Sequence, residues 1–372
     1  MARRIRIISG LILFVFVTIH LLNVALGLHS IALMDRARPV LMGLWSNPLG
    51  TAILAGSMIA HAALGLVAIY QRNTLRLSAS DSVQLVASLA IVPLLTPHVV
   101  GTVVAASFGI VPSFALLIPY FWIDQPQEGL RQVLLLAFLW VHGCVGVYTW
   151  ARIQPWWPRI GGFLYPLAVA IPVLGLLGFV EAGNQAIAYV DDPAAFPGAI
   201  PPLDPPVLTR PFDEILALLK RINWTVFILY LILLAAVFAA RQFRVAGSHG
   251  RARITLAGGP VMTGSTSLNL LEIARLNHTP MANLCRGRGR CGTCRVRVLA
   301  TTEKLPERTE AEEKTLARLA APPDVRLACQ LKPPAGEMTV ERVLSPFLRP
   351  RDMHDLEAEA ADGPRHGEPS TA

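Results

Sequence analysis

Four cysteines in the last third of the chain have the spacing of a metal-cluster site. Cys285, Cys291 and Cys294 share one glycine-rich loop in the pattern C-x5-C-x2-C, and Cys329 follows after 34 intervening residues. The glycines allow the loop to curl so that backbone N–H groups can point at the sulfurs. Because four thiolates are the usual ligands of a [2Fe–2S] cluster, the pattern predicts that these cysteines bind one.

Other uses of the cysteines fit the pattern less well. A four-cysteine zinc site usually shows two C-x2-C pairs, and only one is present here. Disulfides are rare in the cytosol, where we expect this segment to lie. The fifth cysteine, Cys144, lies in an apolar stretch and is expected to be a packing residue.

Four histidines lie inside separate apolar stretches of the first half: His20, His61, His98 and His142. Ionisable residues inside a membrane are costly and usually functional, and imidazole is a common axial ligand of haem iron. Four such residues on four helices predict two bis-histidine b-type haems. Helices 1 and 3 run in the same direction, as do helices 2 and 4, so the expected pairs are His20 with His98 and His61 with His142. The alternatives are hydrogen-bonded core histidines and a proton path.

Small residues beside these histidines would leave room for a flat macrocycle. The small residues on the same helix faces are Gly27 for His20, Gly65 for His61, Gly101 and Ala105 for His98, and Gly146 for His142. His29 follows His20 by nine residues, which is half a turn out of phase on a helix. We therefore expect His29 to face away from the haem and not to bind it.

The composition requires a membrane domain. Hydrophobic residues make up 53% of the 372 residues, charged residues only 16%, and the mean hydropathy is +0.48. Stretches of about 20 apolar residues, enough to cross a bilayer, are predicted at 7–33, 50–70, 83–111, 130–151, 162–182 and 222–240. The first is longer than the apolar part of a signal peptide and is expected to stay uncleaved.

The distribution of basic residues predicts a cytoplasmic N-terminus. The inner segments then carry nine arginines: Arg3, Arg4, Arg6, Arg72, Arg76, Arg152, Arg159, Arg241 and Arg244. The longer outer segments carry six basic residues: Arg36, Arg38, Arg131, Arg210, Lys220 and Arg221. Six spans return the chain to the cytoplasm, so the cysteine loop is expected on the inner side of a bacterial inner membrane. The net charge of +8 is then this cytoplasmic excess and not a sign of nucleic-acid binding.

The predicted fold class is an α-helical transmembrane bundle of six helices followed by an α+β β-grasp ferredoxin domain. Residues 1–244 form the membrane domain, 245–350 the cluster domain, and 351–372 a tail expected to be disordered. In the cluster domain the pattern predicts strands at 253–256, 295–299 and 325–331, and helices at 267–277 and 309–320. The first helix is expected to turn Leu268, Leu271 and Leu276 inward, and the last strand to carry Cys329.

The outer loop predicted at 183–221 is rich in proline, which prevents a regular helix. Its seven prolines are Pro193, Pro197, Pro201, Pro202, Pro205, Pro206 and Pro211. The loop is either a plain linker or a cap over a site on the outer face. Glu181, Asn184 and Gln185, near the end of the fifth span, are candidates for quinone contact or proton uptake.

Two segments around the cysteines resemble a known family. Gly287-Arg-Gly-Arg-Cys-Gly-Thr-Cys-Arg-Val-Arg-Val and Val325-Arg-Leu-Ala-Cys-Gln-Leu are similar to the ferredoxin module of bacterial membrane-anchored adenylate cyclases. In that family a six-helix anchor precedes the ferredoxin and a class III cyclase domain follows it, so the resemblance covers the chain to about residue 345. No cyclase activity is expected, because the segment 351–372 is too short to hold the cyclase core.

The histidine pattern resembles a second family, the diheme, quinone-reactive cytochrome b anchors of succinate dehydrogenase and fumarate reductase. The resemblance implies the same first-with-third and second-with-fourth pairing of ligands. The sixth helix departs from that family, and the chain contains no flavin or succinate-binding partner.

These features predict a membrane-bound electron-transfer protein that relays electrons between quinone, two b haems and a cytoplasmic [2Fe–2S] cluster, as a component of a quinone-linked oxidoreductase without catalytic residues of its own. The alternative is a redox sensor acting in trans on an adenylate cyclase-like or other signalling protein; a proton-relaying transporter is a third possibility.

Residues 245–350 carry 16 Lys and Arg against 9 Asp and Glu, a net charge of +7. Five arginines flank the cluster ligands: Arg286, Arg288, Arg290, Arg295 and Arg297. We therefore expect contact with anionic lipid and with an acidic cytoplasmic redox or signalling protein.

Overall fold

The computed structural model describes residues 2–194, 200, 206–247 and 250–348. Within them, six helices are long and apolar enough to cross a membrane: Arg4–Leu28, Pro48–Tyr70, Ala79–Val104, Pro126–Ala151, Trp157–Asp191 and Phe212–Ala246. The six predicted membrane helices are confirmed. The predicted tail, 351–372, lies outside the described residues.

The helices of the first 246 residues follow one another in a simple order. They are α1 (Ala2–Ala25), α2 (Ile31–Ser46), α3 (Pro48–Tyr70), α4 (Ala79–Val99), α5 (Phe114–Pro119), α6 (Pro126–Ala151), α7 (Trp157–Asp191) and α8 (Phe212–Ala246). A 3-10 turn, Leu26–Leu28, follows α1, and π-helical turns at Val100–Val104 and Tyr120–Asp124 extend α4 and α5.

Two of these helices, α2 and α5, were not predicted from the sequence. The Ser30 side chain accepts a hydrogen bond from Leu33 N–H and begins α2 inside the range predicted for the first span. Asp35 on α2 accepts hydrogen bonds from the backbone N–H groups of Phe114 and Ala115, at 2.8 and 2.9 Å, and so caps α5. The predicted first span, 7–33, therefore ends too late, because a second helix has already begun.

The proline-rich loop is shorter than predicted. Helix α7 continues to Asp191 and α8 begins at Phe212, so the interval without a helix is 192–211 rather than 183–221. All seven prolines fall inside this interval, four of them outside the described residues. Residues 183–191 contain no proline, and their amide, alanine and aromatic side chains are compatible with a helix.

Residue contacts divide the chain into two compact units. The first contains Met1–Tyr70, Ser78–Val147 and Gly162–Phe238, and the second contains Gln71–Leu77, Tyr148–Gly161 and Ala239–Ala372. The second unit therefore combines the C-terminal domain with two loops, α3–α4 and α6–α7.

In the first unit, α1 and α7 approach at two glycines. A Cβ added to Gly27 would lie 2.3 Å from the Gly178 carbonyl oxygen, and one added to Gly178 would lie 2.3 Å from Val24 O. Gln185 on α7 donates to Gly27 O at 3.1 Å and accepts from Ile31 N–H at 3.2 Å. This amide therefore bridges the break between α1 and α2.

The C-terminal domain contains a five-stranded mixed sheet. Its strands are β1 (Arg251–Leu256), β2 (Val261–Ser265), β3 (Arg295–Thr301), β4 (Val325–Leu327) and β5 (Gly336–Arg342), in the order β2-β1-β5-β3-β4. The strands β1 and β5 are parallel, and the other neighbours are antiparallel. With helices α9 (Leu270–Leu276) and α10 (Glu310–Arg318), this confirms the predicted α+β ferredoxin domain. The prediction missed β2 and β5.

The sheet is covered by α9, whose start is fixed by a capping box. Asn269 accepts from Glu272 N–H, and the Glu272 carboxylate accepts from Asn269 N–H. The helix therefore begins at Leu270 and not at 267. The predicted inward residues Leu268 and Leu271 are buried, and Leu276 packs against the same core, which includes the alternate residues Ala252, Ile254 and Leu256 of β1.

A buried ion pair ties α10 to β4. Glu312 is fully buried and accepts from Arg326 at 3.0 Å through both carboxylate oxygens, and from Leu327 N–H at 2.7 Å. Arg326 is also buried and donates to Pro306 O at 3.0 Å. This pair fixes the strand that precedes Cys329.

We expect Glu312→Ala to lower the free energy of unfolding of this domain by about 3–5 kcal/mol, because it leaves the Arg326 charge buried without its partner. Limited proteolysis of the C-terminal domain in the full chain, at increasing urea, measures the change. The control is Glu313→Ala, whose exposed carboxylate lies 3.4 Å from Arg308 and should contribute less than about 1 kcal/mol. Equal effects of the two variants would contradict a stabilising role of the buried pair.

Candidate functional site

The four predicted cluster ligands are all buried, with exposed fractions of 1% to 5%. Cys285, Cys291 and Cys294 lie on the loop between α9 and β3. This loop has positive φ angles at Gly287, Gly289 and Gly292. A Cβ added to Gly292 would also lie 2.2 Å from the Leu319 side chain, so this position requires glycine for two reasons.

Cys329 reaches the loop from a turn after β4. The strand was predicted to carry this cysteine, but it ends at Leu327. Ala328 N–H donates to Cys294 O at 2.9 Å, and Ala328 O accepts from Leu271 N–H at 2.9 Å. The chain must leave the sheet here because Ala328 bonds to the cysteine loop and to α9 instead of to a neighbouring strand.

The four sulfurs fall into two pairs. The Cys285 and Cys291 side chains are in hydrogen-bonding contact, as are those of Cys294 and Cys329. Cys285 N–H also donates to Cys291 Sγ at 3.3 Å. Two pairs of thiolates would suit a [2Fe–2S] cluster, in which each pair would hold one iron.

A single-metal site is the alternative to this cluster. Among the described residues, no group of three or more His, Cys, Asp or Glu side chains could hold one metal ion. A structural zinc ion would require four ligands around one point. It is the cysteine spacing, which contains only one C-x2-C pair, that disfavours zinc.

Backbone N–H groups surround the Cys285 sulfur, as the glycine spacing predicted. A hydrogen bond from Cys291 lowers the pKa of Cys285 to about 5; burial opposes this, and the N–H groups of Arg290, Cys291 and Arg288 lower the pKa further. The same contact and burial raise the pKa of Cys291. One thiolate is therefore favoured in this pair, and metal binding would displace the remaining proton.

Two further polar side chains contact the sulfurs and were not predicted. The Thr293 hydroxyl lies 3.1 Å from Cys291 Sγ and accepts from Leu284 N–H at 3.1 Å, so its proton is available to the sulfur. Gln330 donates to Cys329 Sγ at 3.5 Å. Hydrogen bonds to the ligand sulfurs tune the reduction potential of an iron–sulfur cluster. The sequence could have indicated these two residues, because Thr293 directly precedes Cys294 and Gln330 directly follows Cys329.

The α6–α7 loop packs against the first cysteine pair. Ile153 contacts the small buried group formed by Leu284, Cys285 and Cys291. The Arg152 guanidinium donates to Leu284 O and lies over the Tyr148 ring, 5.2 Å from its centroid. Within the second unit, the α6–α7 loop therefore covers the part of the cysteine loop around Leu284, Cys285 and Cys291.

The arginines beside the cysteines make hydrogen bonds and ion pairs with the protein that fully solvated arginines would not make. Arg295 Nε donates to Gly292 O at 3.0 Å. Arg297 lies 3.1 Å from Asp324 and 3.4 Å from Glu341. Arg290 is half-buried, and burial lowers the pKa of its guanidinium. These contacts hold part of the positive charge next to the cysteine loop.

The four predicted histidines form two pairs in the first unit. The His20 and His98 ring centroids are 6.0 Å apart, with the ring planes at 70°. The His61 and His142 centroids are also 6.0 Å apart, with the planes at 83°. These are the pairs expected from helix direction.

The spacing within each pair is suitable for a metal ion. An iron about 2 Å from one nitrogen of each ring would separate the centroids by about 6 Å, because each nitrogen lies about 1 Å from its own centroid. His61 Nδ1 must donate to Arg6 O, 3.1 Å away, because a carbonyl oxygen only accepts. The other nitrogen, Nε2, is then unprotonated and able to bind a metal.

Only some of the predicted small residues leave space. Among the residues that the structure describes, a Cβ added to Gly65 or Gly101 would meet no heavy atom within 4 Å apart from its chain neighbours and its own helix backbone. Gly27 instead contacts α7, and Ala105 is buried against Ile215 and Leu219 of α8, so neither leaves a gap beside its histidine. The prediction failed at these two positions because it counted residues on one helix face without knowing which helix packs there.

Two glycines near the His61–His142 pair lie close to other side chains and not beside open space. A Cβ added to Gly146 would lie 3.6 Å from the Gln84 amide nitrogen. The prediction missed Gly10, on the facing helix α1. A Cβ there would lie 2.8 Å from His61 Cε1, so Gly10 is what admits the His61 ring.

The remaining polar candidates are placed at the end of α7 and beyond α1. Gln185 is used in the bridge between α1 and α2, so both ends of its amide have structural partners. Asn184 is exposed and donates to Glu181 at 3.5 Å. His29 is exposed and follows the 3-10 turn, outside α1, so the predicted orientation of its side chain on a continuous helix does not apply.

Comparison with known proteins identifies the C-terminal domain. The family described as 2Fe-2S iron-sulfur cluster binding domain matches residues 255–334. No curated protein and no solved structure matches the chain. The matched segment begins at Thr255, near the end of β1, and ends at Pro334, before β5, and it contains all four predicted cluster ligands.

The chain is therefore a multi-pass membrane protein that carries a [2Fe–2S] domain of the ferredoxin type. Such a domain transfers single electrons.

Proposed function

We propose that this protein relays electrons between a membrane quinone and the [2Fe–2S] cluster through two bis-histidine b haems. The observation that carries the proposal is the presence of two histidine pairs, each with centroids 6.0 Å apart, in a bundle of apolar helices. When bound, the haems and the cluster would each accept and release one electron at a time.

In this proposal the side chains have distinct tasks. Cys285 with Cys291 and Cys294 with Cys329 hold the two irons of the cluster. His20 with His98 and His61 with His142 would hold the two haems. The residues between the cysteines exclude water and donate hydrogen bonds to sulfur, which favours the extra negative charge of the reduced state.

In this proposal the cluster domain lies on the cytoplasmic side of a bacterial inner membrane. The arginine excess of the inner segments supports this orientation, and four buried free cysteines are suited to a reducing compartment. The net charge of +7 in residues 245–350 supports an acidic redox or signalling protein as the cytoplasmic partner.

The proposal is tested by mixing the purified full chain with a reduced quinone under anaerobic conditions. We expect low-spin haem b absorbance at two haems per chain to reach its reduced form first. The electron paramagnetic resonance signal of a reduced [2Fe–2S] cluster should follow, or appear when dithionite is added. Haem that stays oxidised with every quinol tested, or protein that contains no haem, would overturn the relay. A protein that forms a stable complex with a signalling enzyme and turns over no quinol would favour the redox-sensor alternative.

A further inference from the structure

Two glutamines inside the apolar spans contact histidines on each other's helices. Gln132 on α6 lies beside His98 on α4, with 2.9 Å between Oε1 and Nδ1. Gln84 on α4 lies beside His142 on α6, with its amide nitrogen 3.2 Å from Nδ1 and 3.4 Å from Nε2. Each helix thus supplies one histidine and one amide partner for the histidine of the other helix.

The orientation of the Gln132 amide is fixed by a second contact. Its nitrogen donates to Glu128 O at 3.4 Å, one turn earlier on α6. The oxygen must then face His98, and because an amide oxygen only accepts, His98 Nδ1 carries the proton. This leaves Nε2 of His98 unprotonated.

The Gln84 amide reaches the same arrangement by a half-turn rotation. Its Oε1 is buried and has no hydrogen-bond partner in the part of the chain that the structure describes. A buried acceptor without a partner is costly, and the two ends of an amide have nearly the same shape. Rotation would place Oε1 within reach of both His142 ring nitrogens, so that it accepts from the protonated one and leaves the other free.

We infer that Gln84 and Gln132 are positioning residues of the two haem sites: each accepts a hydrogen bond from the protonated ring nitrogen of its histidine, leaves the other nitrogen available to iron, and sets the reduction potential. This inference rests on the proposed haem function. An acceptor on the distal nitrogen of a metal-bound imidazole makes the ligand more electron-rich. Such a ligand stabilises the oxidised iron, so the amide lowers the potential of the haem.

The test uses the purified full chain and a redox titration that follows the haem absorbance. Gln132→Leu removes the acceptor and should raise one haem potential, whereas Gln132→Glu, measured at alkaline pH where the carboxyl is ionised, should lower the same potential. We expect each change to alter the one-electron equilibrium constant about tenfold, which corresponds to about 59 mV. The same substitutions at Gln84 should shift the other haem.

The control is Gln127→Leu, an exposed amide on α6 that contacts Gln125 and no histidine. It should leave both potentials unchanged. Wild-type haem content with unchanged potentials in the Gln84 and Gln132 variants overturns this inference alone. A wild-type protein without haem overturns the proposed function and this inference with it. Opposite shifts in the Leu and Glu variants would separate a ligand effect from a general loss of packing.

Discussion

His61→Ala is expected to leave the protein with half of its haem. The His61 and His142 rings form one pair, so loss of either side chain would remove one of the two residues proposed to hold the same haem. His142→Ala should therefore remove the same haem, and the double variant should lose no more than either single variant. The haem content per chain and the reduced absorbance spectrum measure this loss.

The other pair provides the matched comparison. His20→Ala or His98→Ala should remove the second haem, because these rings lie next to each other and not next to His61. His29→Ala is the control and should keep both haems, since His29 is exposed and lies beyond the end of α1. Loss of haem in His29→Ala, or loss of both haems in every variant, would contradict the two-site arrangement.

Cys329→Ala is expected to abolish the cluster although 34 residues separate it from the nearest other ligand, Cys294. Cys329 pairs with Cys294, so its removal leaves one iron with a single protein ligand. The full chain should contain two irons and two acid-labile sulfides beyond its haem iron, and the variant should contain neither. Cys144→Ala is the control, because Cys144 lies on α6 and not in the C-terminal domain.

Metal analysis decides between the cluster and its alternative. Zinc without acid-labile sulfide in the wild-type protein would contradict a [2Fe–2S] site. Retention of the cluster signal in Cys329→Ala would mean that a different residue is the fourth ligand. Haem content should be unchanged in this variant, since none of the haem-pair histidines lies in the C-terminal domain.

The sequence was sufficient to predict the features that depend on residue type and on spacing along the chain. The spacing of Cys285, Cys291 and Cys294 identified a domain that the family match at 255–334 supports. Hydropathy identified six spans because a membrane helix requires a long apolar run. The alternation of helix direction was sufficient to predict which histidines lie side by side.

The sequence was insufficient where tertiary contacts decide the outcome. Helix α2 was missed because Asp35, Arg36 and Arg38 interrupt its apolar residues, while its stability depends on packing against α5 and α7. The short strand β2 contains Gly264, which is a poor strand former, and it is stabilised by pairing with β1. The amide partners Gln84 and Gln132 could have been suspected as polar residues inside spans, but their histidines are 58 and 34 positions away.

The division of the cysteines between two packing groups has a consequence for chain entropy. Cys294 and Cys329 belong to the main core of the domain, whereas Cys285 and Cys291 pack with Leu284 and Ile153 in a separate small group. A bound cluster would be a covalent cross-link between these groups and would close a segment of roughly 45 residues. By analogy with a disulfide, it would stabilise the domain by about 4 kcal/mol by restricting the unfolded chain. Oxidative loss of the cluster would then release the small group first, while the sheet and its core keep their fold.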